Sequence, residues 1–476
     1  MNKKLQNLFE THFGEKVTRT APVNADGSNR KLNPIHRDRH TAIGVENHDL
    51  AENTAFVAFS RHFHKSGLPV PEIYSENLAE NIYLEEDLGD TTLFDQLAVT
   101  RDEHTAFPEK TQRIYEKVVR TLPSFQIQAG NSLDYRVCYP RAMFDEQSIM
   151  WDLNYFKYYF LKLGQIHFNE QKLEDDFQNF TEFLLQADRD YFLYRDFQSR
   201  NIMIRQGEPY FIDYQGGRKG ALQYDIASLL FDAKADIPSP VRDQLLQSYL
   251  TAVNELISLD RESFMKFYYG YVLIRIMQAM GAYGFRGFYE RKSHFLQSVP
   301  FAIRNLESVM RTGELPVELP TMTDCFQRIV QSTRLRELGD VKLPVTVRIQ
   351  SFSYKHGLPQ DETGHGGGFI FDCRCLPNPG RLKKYKRQSG LDNGVTAFLE
   401  KESEVHSFLT RVRDLISQVV ENYQNRNFSQ LTVSFGCTGG QHRSVFCAER
   451  LAEFLRKKYQ ANVEISHLAK PLWPKK

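Results

Sequence analysis

Apolar residues recur at helical spacing over long stretches of the chain and alternate over much shorter ones. Phenylalanines recur every three or four positions within 50–64, which predicts a helix, whereas the run at 81–84 is typical of a strand. From 112 to about 311 helical patterns dominate, and short strands interrupt them only around 191–213. The pattern therefore predicts a mixed α+β lobe followed by a larger helical lobe.

The periodic pattern weakens between 312 and 342, where glycine and proline punctuate polar sequence, so this stretch is interpreted as a linker. Beyond it, strand and helix patterns return and predict a compact α/β unit. Its predicted elements are strands at 345–352, 369–376 and 431–435 and helices at 404–423 and 444–459. The predicted domains are an N-lobe at 1–90, a helical C-lobe at 91–311, a linker at 312–342 and a separate α/β domain at 343–476.

Composition and charge exclude several classes of protein. At 476 residues, 41% of them hydrophobic, the chain is long enough for two or three domains with large cores. The 60 basic and 59 acidic residues nearly cancel, so no whole-chain field attracts nucleic acid or a membrane. No stretch approaches the ~20 apolar residues of a membrane-spanning helix, the start lacks the apolar run of a signal peptide, and the six cysteines show no paired framework. We therefore expect a cytoplasmic protein with no membrane partner.

One polar stretch carries a spacing that phosphotransferases use. Residues 194–201 read YRDFQSRN, and Asp213 ends the next apolar strand. In this spacing Asp196 is the predicted general base for a substrate hydroxyl. The turn at 206–209 predicts a hairpin that brings Asn201 and Asp213 to neighbouring positions, where their oxygens are predicted to hold Mg²⁺ against nucleotide phosphates. ATP-dependent phosphoryl transfer is the leading hypothesis, and a polar turn with a capping aspartate is the structural alternative.

These segments resemble the catalytic and metal-binding loops of the aminoglycoside phosphotransferase and choline kinase superfamily. The block at 224–230, YDIASLL, resembles the one that follows the metal aspartate in that superfamily. The bacterial anomeric kinases that act on N-acetylmuramate and N-acetylglucosamine in cell-wall recycling share an R-D-x-x-S-R-N loop, matched by 195–201, and a hinge echoed by 84–90. The resemblance covers about 15–310 and implies a bilobal protein-kinase-like fold, ATP and Mg²⁺ as cofactors, and a small-molecule acceptor.

The resemblance also implies a nucleotide site. The phosphates would lie under a short glycine-containing loop, and the hinge backbone would meet the adenine. The implied nucleotide-binding residues are Gly27, Ser28, Asn29 and Arg30 in the loop and Glu85, Glu86, Asp87 and Leu88 in the hinge. Two departures stand out: Tyr194 replaces the histidine of most relatives, and the strand pattern at 41–45 has no lysine for the α- and β-phosphates. Arg30 is a candidate substitute for that lysine, and a degenerate, inactive kinase is the alternative.

A second stretch has the features of an anion-binding cradle. Residues 435–444 read FGCTGGQHRS and join a predicted strand to a predicted helix, so free backbone N–H groups and the helix dipole point to one place. The candidate anion-binding residues here are Cys437, Thr438, Gly439, Gly440, Gln441, His442, Arg443 and Ser444. A structural Gly-Gly turn is the alternative. The C-x5-R-S spacing of Cys437 and Arg443 also fits cysteine-dependent phosphatases, although no neighbouring aspartate can be assigned as their general acid.

Alternation along the preceding predicted strand adds Asp372 and Arg374 to this site, because charged residues on an apolar strand need either each other or a ligand. The region 348–467 resembles the C-terminal domain of the RapZ RNase adaptors, which implies binding of a hexosamine phosphate and of RNA. Gly380 stands where those adaptors have a histidine, and the chain has no P-loop motif like that of their usual N-terminal domain. The basic run at 383–387 is a candidate RNA contact, but a solvated loop is the favoured interpretation.

The two resemblances converge on amino sugars. We predict an ATP-dependent phosphotransferase that acts on a hydroxyl of an amino sugar such as N-acetylmuramate or N-acetylglucosamine, with a C-terminal domain that binds a sugar phosphate. Three alternatives stay open at this point: a choline or aminoglycoside kinase, a non-catalytic RNA-binding adaptor with a degenerate kinase domain, and a cysteine phosphatase. RNA is the less favoured partner, and the sequence is compatible with an oligomer.

Overall fold

The computed structural model describes most of the chain. The described residues are 3–14, 16, 19–20, 23–24, 30–36, 40–101, 107–313, 315–339, 345–359, 368–426, 428, 430–459 and 461–474. Gly27, Ser28 and Asn29, which are predicted to bind phosphate, lie outside them. The chain divides into two compact units, Met1–Phe326 and Gln327–Lys476. None of the described helices is both long enough and apolar enough to cross a membrane.

The first part of the first unit is an antiparallel sheet with two helices. Its elements are α1 (Lys3–Phe13), β1 (Arg19–Thr20), β2 (Val23–Asn24), β3 (Lys31–His36), β4 (Thr41–Glu46), α2 (Leu50–Lys65), β5 (Ile73–Asn77) and β6 (Ile82–Glu86). The strand order is β1-β3-β4-β6-β5, and β2 pairs with β3. This is the mixed α+β lobe that the hydrophobic pattern predicts.

Helix α2 connects this sheet to the helical lobe. Asp49 caps the helix by accepting a hydrogen bond from the Glu52 N–H at 3.1 Å. Phe56, one of the periodic phenylalanines, stacks on Tyr83 of β6 with ring centroids 5.4 Å apart, and on Tyr214 of the helical lobe at 5.1 Å. The helix predicted from this periodicity is confirmed, and its buried face fixes the sheet against the segment that contains Tyr214.

The rest of the first unit is mostly helical and contains two short antiparallel pairs, β7 with β10 and β8 with β9. Its elements are α3 (Leu93–Thr100), α4 (Glu109–Pro123), α5 (Glu146–Tyr155), α6 (Glu170–Leu184), β7 (Tyr191–Leu193), β8 (Ile202–Arg205), β9 (Glu208–Phe211), β10 (Arg218–Gly220), α7 (Gln223–Leu230), α8 (Ser239–Asn254), α9 (Arg261–Tyr283), α10 (Ser293–Leu296) and α11 (Val299–Thr312). Helices α4, α5 and α9 continue into π-helical segments at Ser124–Ala129, Phe156–Lys162 and Gly284–Tyr289. The predicted helical lobe, interrupted by short strands, is therefore confirmed.

The second unit is built on a parallel sheet. Helix α12 (Pro320–Gln331) spans the division between the units, and the remaining elements are α13 (Thr333–Arg336), β11 (Thr346–Ser353), β12 (Phe369–Asp372), α14 (Asn393–Leu399), α15 (Ser403–Asn425), β13 (Gln430–Cys437), α16 (Arg443–Lys458) and β14 (Asn462–His467). The strand order is β12-β13-β11-β14, and all three pairings are parallel. The carboxyl ends of the strands therefore meet at one edge, where the predicted cradle follows β13.

The strand predicted over 369–376 ends at Asp372 instead. The Asp372 carboxylate accepts a hydrogen bond from the Arg374 N–H at 2.8 Å, and the chain enters a 3-10 turn at Cys373–Cys375. Cys373 is buried and Cys375 is exposed, so the side chains after Asp372 do not alternate as they would in a strand. The alternation of apolar residues does not show where the strand ends, because the end is set by the Asp372 side chain, which takes a backbone N–H that strand pairing would otherwise use.

Candidate functional site

One buried carboxylate holds the loop that follows β7. Asp225 of α7 accepts hydrogen bonds from the backbone N–H groups of Tyr194 and Arg195 at 2.8 and 3.1 Å, and from the Gln126 side chain at 3.0 Å. Asp225 has no exposed surface. Burial raises the pKa of Asp225 to about 6 because the charged form loses its water, although the donors oppose this rise. This anchor fixes the backbone from which the predicted base projects.

Tyr194, which stands where most relatives have histidine, links this loop to the next one. Its hydroxyl donates to the carbonyl oxygen of Ile212 at 2.6 Å. Its buried ring contacts Phe197 and Tyr214 edge-on, with ring centroids 5.1 and 5.7 Å apart. The tyrosine therefore ties the loop that carries Asp196 to the segment that leads into Asp213.

Arg195 fixes the loop from its other side. Its φ of +82° turns the chain sharply, and its guanidinium makes two hydrogen bonds to the Asp152 carboxylate, at 2.6 and 2.7 Å. The Arg195 guanidinium also lies 5.3 Å from the ring centroid of Phe144 and 5.4 Å from that of Tyr224. A bidentate ion pair of this kind restricts the position of Arg195, so the position of the next residue, Asp196, is well defined.

The structure brings Asp196, Asn201 and Asp213 together. The side-chain amide of Asn201 donates to the backbone carbonyl of Asp196 at 2.9 Å and to Asp213 Oδ2 at 3.1 Å. The predicted hairpin is present, and its register pairs Ile202 with Phe211. The amide nitrogen of Asn201 makes both bonds, so its amide oxygen remains for a cation beside the Asp213 carboxylate. The roles of the three residues stay predictions.

Asp196 is half-buried, and charges of both signs act on it. Burial raises its pKa, and the nearby Asp213 adds to the rise. Arg195, Arg275 and Arg218 oppose it, and the net result is a pKa above the ordinary value of aspartate. A carboxylate with a raised pKa is a stronger proton acceptor, which suits a general base.

Arg30 supplies a cation where the strand at 41–45 has none. It immediately precedes β3, and its Nη2 lies 2.6 Å from Glu52 Oε1 in the first turn of α2. Its Nη1 lies 3.6 Å from Asp213 Oδ1, and its side chain is only 9% exposed. A guanidinium held by a helix glutamate beside the predicted metal carboxylate is suited to bind phosphate oxygens.

Of the predicted hinge residues after Glu85, Glu86 is the last residue of β6, and Asp87 and Leu88 follow the strand. Glu86 makes an ion pair with Arg205 of β8. Asp87 accepts a hydrogen bond from the Gly89 N–H at 3.0 Å, and the Leu88 side chain is buried. The end of β6 thus contacts β8 of the helical lobe through Glu86, and the nucleotide-binding role of these residues stays a prediction.

Glu85, the first predicted hinge residue, differs from Glu86 and Asp87 because one of its carboxylate oxygens has no partner among the described residues. Its Oε2 is buried and has no hydrogen-bond partner within the described part of the chain. Burial raises the pKa of Glu85 to about 8; Arg30 opposes this rise and Asp213 adds to it. At neutral pH the side chain is therefore mostly protonated. It lies near Arg30 and Asp213, and the space that these residues border together with Asp196 and Asn201 is called the cleft.

Sequence reasoning missed three supporting carboxylates: those of Glu52, Asp152 and Asp225. Asp225 lies within the block 224–230, where a charged residue among apolar ones signals a buried partner. The other two sit in helical stretches without a motif. Their partners, Arg30 and Arg195, are distant in sequence, so no local pattern connects them.

In the second unit, the predicted cradle begins at the last residue of β13. The thiol of Cys437 lies 3.1 Å from the Ser444 hydroxyl. Burial raises the pKa of this thiol, but hydrogen bonds from Ser444 and the charge of Arg443 outweigh burial and hold the pKa below its ordinary value. Thr438 and Gly439 are exposed, so the loop is open to a ligand.

The other cradle residues mostly support the loop itself. Gly440 has a φ of +61°, and its carbonyl accepts a hydrogen bond from the Trp473 indole at 3.1 Å. Gln441 donates to the carbonyl of Gln388 at 2.7 Å. One ring nitrogen of His442, Nε2, lies 3.0 Å from a backbone carbonyl oxygen.

Arg443 is engaged with backbone. Its Nη1 donates to the carbonyls of Arg374 and Leu376 at 2.9 and 3.0 Å, so it holds the turn after β12. This use of the guanidinium disfavours the cysteine-phosphatase alternative, in which that group binds the phosphate. Arg374 pairs with Asp372 at 2.7 Å and lies 3.9 Å from the ring centroid of Tyr354. The ion pair between the two predicted site residues is thus present at the edge of the cradle.

Comparisons with known proteins agree with this division. Residues 37–262 match the phosphotransferase enzyme family, and residues 345–470 match the RapZ C-terminal domain. The RNase adapter protein RapZ of Serratia proteamaculans (strain 568) is 36% identical over 162 residues, 34% of this chain and 54% of the relative, so the chain spans about half the length of the curated relatives it matches. The two family matches confirm both resemblances and the kinase-like fold of the first unit.

Solved structures show distant similarity. The choline kinase from Cryptosporidium parvum Iowa II is 12% identical, with 63% of this chain and 91% of that chain covered and a TM-score of 0.44. An ADP-bound aminoglycoside phosphotransferase, APH(2'')-Ib, is 10% identical, with coverage of 59% and 99% and a TM-score of 0.38.

Replacing Asp225 by asparagine should loosen the loop that it anchors. The substitution turns one acceptor oxygen into a donor, so one N–H of the loop or of Gln126 loses its partner. We expect a loss of about 1–3 kcal/mol in the free energy of unfolding, and faster hydrogen exchange of the Tyr194 and Arg195 amides. Asp243→Asn, at an exposed position of α8, is the matched control. Equal exchange in wild type and Asp225→Asn would contradict the anchoring role.

Glu85→Gln should change how stability depends on pH. Because the folded pKa of Glu85 is raised from 4.5 to about 8, its contribution to stability is present below pH 4.5 and is lost as the pH rises through 8. Glutamine stays neutral, so we expect the melting temperature of Glu85→Gln to gain a few degrees over wild type between pH 5 and pH 9. Glu86→Gln, which removes a hinge carboxylate paired at the surface, should show no such trend. If the difference in melting temperature between Glu85→Gln and wild type is the same at every pH in this range, ionisation of Glu85 is not the cause of that difference.

Proposed function

We propose that this chain, in which a phosphotransferase-family domain at 37–262 is joined to a RapZ C-terminal domain at 345–470, is an ATP-dependent kinase that phosphorylates a hydroxyl of an amino sugar. The observation that carries the proposal is the placement of Asp196 beside Asn201 and Asp213 on two loops that are tied to each other.

In this proposal Asp196 orients the acceptor hydroxyl and accepts its proton. The residue is held through its neighbours: Asp225 binds the preceding N–H groups, Asp152 binds Arg195, and Asn201 binds the Asp196 carbonyl. Its raised pKa makes proton transfer from an alcohol less unfavourable than it is for a free aspartate. The protein's contribution is therefore mainly positioning, as in other phosphoryl transfers.

The residues fit a magnesium ion bound together with a nucleotide. Asp213 is 39% exposed and its Oδ2 lies 3.1 Å from the amide nitrogen of Asn201, so a carboxylate and a side-chain amide lie next to each other. Such oxygen ligands are typical for Mg²⁺, which takes its remaining ligands from phosphates and water. No cluster of three or more His, Cys, Asp or Glu suited to a metal occurs within the described ranges. When bound, the ion would neutralise charge on the transferred phosphoryl group.

Arg30 takes the role of the missing lysine. It is braced by Glu52 at 2.6 Å and lies 3.6 Å from Asp213, so a phosphate that replaces water beside Asp213 comes within reach of its guanidinium. The predicted loop residues Gly27, Ser28 and Asn29 would cover the phosphates, and the hinge backbone at 85–88 would bind the adenine. This reading removes the main reason for regarding the kinase as degenerate.

The second unit supports the choice of an amino sugar. Resemblance to the RapZ C-terminal domain implies a hexosamine phosphate as its ligand, and a cradle of exposed backbone at Thr438 and Gly439 fits a small anion. In this proposal the first unit phosphorylates an amino sugar and the second unit binds a phosphorylated amino sugar, so the two units bind the same class of ligand. RNA stays the second candidate ligand of this unit because the relatives it matches are RNase adapters.

The kinase activity is tested by Asp196→Ala. Purified full-length protein is assayed for ATP turnover with N-acetylmuramate, N-acetylglucosamine, choline and kanamycin. We expect turnover with the amino sugars and a loss of about 10²- to 10⁴-fold in Asp196→Ala, the usual contribution of a general base. Nucleotide affinity should stay within about twofold, because Asp196 acts on the acceptor rather than on ATP.

The control for this experiment is Asp243→Ala, at an exposed site of the same lobe. Melting curves establish that both variants are folded. If no acceptor supports turnover, the proposed kinase activity is wrong. If choline or kanamycin is used in preference to both amino sugars, the substrate class is wrong and the reaction type stands.

Ligand binding by the second unit is tested with glucosamine 6-phosphate. We expect calorimetry on the full-length chain to detect binding, and Arg374→Ala to weaken it by about tenfold, since a charge-assisted hydrogen bond contributes about 1.5–3 kcal/mol. Arg381→Ala, at an exposed position of the same region, is the control. Binding that is unaffected by Arg374→Ala would remove Arg374 from the site, and binding of RNA without glucosamine 6-phosphate would favour the adaptor reading.

A further inference from the structure

Three arginines lie near Asp196, and only one of them has a carboxylate partner of its own. The positive charges of Arg195, Arg218 and Arg275 all act on the Asp196 carboxylate. Arg195 has a carboxylate of its own, since it makes two hydrogen bonds to Asp152. Within the described ranges, neither Arg218 nor Arg275 makes a direct ion pair with a carboxylate. Besides Asp196, the charge of Asp152 acts on Arg218, but Asp152 makes its direct ion pair with Arg195.

Arg218 is the nearer of the two in the chain. It opens β10, is 6% exposed, and its Nε donates to the carbonyl of Gly216 at 3.0 Å. Gly216 lies against the base, because a Cβ added there would stand 3.7 Å from Asp196 Oδ2. The two terminal nitrogens of Arg218 donate to no group in the described part of the chain. They are available to a ligand that approaches Asp196.

Arg275 comes to the same place from helix α9. It is 8% exposed, and its Nη1 donates to the Tyr224 hydroxyl at 3.3 Å and to the Gln278 side chain. Its Nε is buried without a hydrogen-bond partner among the described residues. The same Tyr224 hydroxyl accepts from Arg195, so the guanidinium groups of Arg195 and Arg275 meet at one oxygen. A buried cation with an unused donor is costly unless a ligand completes it.

The neighbouring carboxylates do not relieve this excess. Asp152 is taken by Arg195, and Asp213 accepts from Asn201 and Gln215 and faces Arg30. An acceptor pocket for a cation such as choline or an aminoglycoside needs carboxylates or aromatic faces beside the base. Here the carboxylates already have partners, and the aromatic faces of Phe144 and Tyr224 are covered by Arg195 and Arg275. The electrostatics of the three arginines therefore favour an acceptor of the opposite sign.

We propose that Arg218 and Arg275 form an anion subsite of the acceptor pocket, so that the acceptor alcohol carries an oxyanion, a carboxylate or a phosphate, near the hydroxyl that reacts. The inference deepens the proposed function and rests on it. In the reaction, the acceptor oxygen bonds to the γ-phosphorus as the bond from that phosphorus to the β,γ-bridging oxygen breaks, the hydroxyl proton passes to Asp196, and ADP leaves. The oxyanion is not altered; it orients the acceptor.

Matched acceptors test the subsite. N-acetylmuramate and N-acetylglucosamine share a ring but differ in a lactyl carboxylate, and N-acetylglucosamine 6-phosphate supplies a phosphate instead. We expect kcat/KM of the wild-type chain to be at least about tenfold higher for one of the two anionic sugars than for the neutral one. Arg218→Gln and Arg275→Gln should each reduce that ratio about tenfold, and Arg218→Lys should restore part of it. The preferred anion identifies the carboxylate or the phosphate as the natural group.

Arg261→Gln, at an exposed position at the start of α9, is the control and should leave the ratio unchanged. The pH dependence of kcat separates the proposal from a purely electrostatic role. If the arginines only keep Asp196 ionised, their removal moves the acidic limb to higher pH equally for all acceptors and leaves the ratio as it was. That outcome, or no preference for an anionic sugar in wild type, overturns the subsite.

Direct binding separates the subsite from the proposed activity. Calorimetry measures the affinity of the three sugars for wild type and for Arg218→Gln, whether or not they are phosphorylated. Tighter binding of an anionic sugar that Arg218→Gln abolishes, without turnover, keeps the subsite and removes the kinase activity. Turnover of the neutral sugar with no anionic preference keeps the activity and removes the subsite. Arg275→Gln repeats the measurement if Arg218→Gln does not fold.

Discussion

Asp225 is buried without a direct ion pair in the described structure, yet two loops take their shape from it. Its carboxylate receives the N–H groups of Tyr194 and Arg195, so the backbone after β7 is satisfied by a side chain where a sheet partner would otherwise be needed. Arg195 can then adopt its left-handed φ and reach Asp152, and Asp196 projects into the cleft. The desolvation that raises the pKa of Asp225 is the cost of this arrangement, and the hydrogen bonds offset it.

Some charged side chains around the cleft make an ion pair with an oppositely charged side chain, and others do not; the first are called matched and the second unmatched. Arg30 with Glu52 and Arg195 with Asp152 are matched, and both pairs orient a residue that faces the cleft. Arg218 and Arg275 are unmatched cations, and Glu85 is an uncompensated acid that burial keeps protonated near neutral pH. Unmatched groups in a cleft are what a ligand compensates, so the nucleotide and the acceptor are expected to meet different members of this set.

The sequence predicted the fold well where the hydrophobic pattern was long. The helix that carries Phe56 and the two helices predicted for the second unit fall within a few residues of their predicted bounds, because burial of one face determines them. The short hairpin after Asn201 was predicted from its turn residues, which act locally. The strand that ends at Asp372 was predicted too long, because a side chain that caps its own backbone leaves no trace in alternation.

The candidate site was only partly predictable. Asp196, Asn201 and Asp213 lie within one short stretch whose spacing is visible. Their supports are not, because Asp225, Asp152 and Glu52 act across distances that only the folded chain closes. The unmatched state of Arg218 and Arg275 is likewise a property of the three-dimensional neighbourhood, since an isolated arginine in a sequence gives no information on whether a carboxylate faces it.

The hydroxyl of Tyr194 has a consequence for how the cleft responds to acid. A histidine in its place would gain or lose a proton near neutral pH, and the contact between the two loops would change with it. Burial raises the pKa of the Tyr194 phenol well above 10, so the phenol keeps its proton under all mild conditions and always donates to Ile212. The separation of Asp196 from Asp213 is therefore set by a proton-independent tether. Acid can change the charges in this cleft without changing its dimensions.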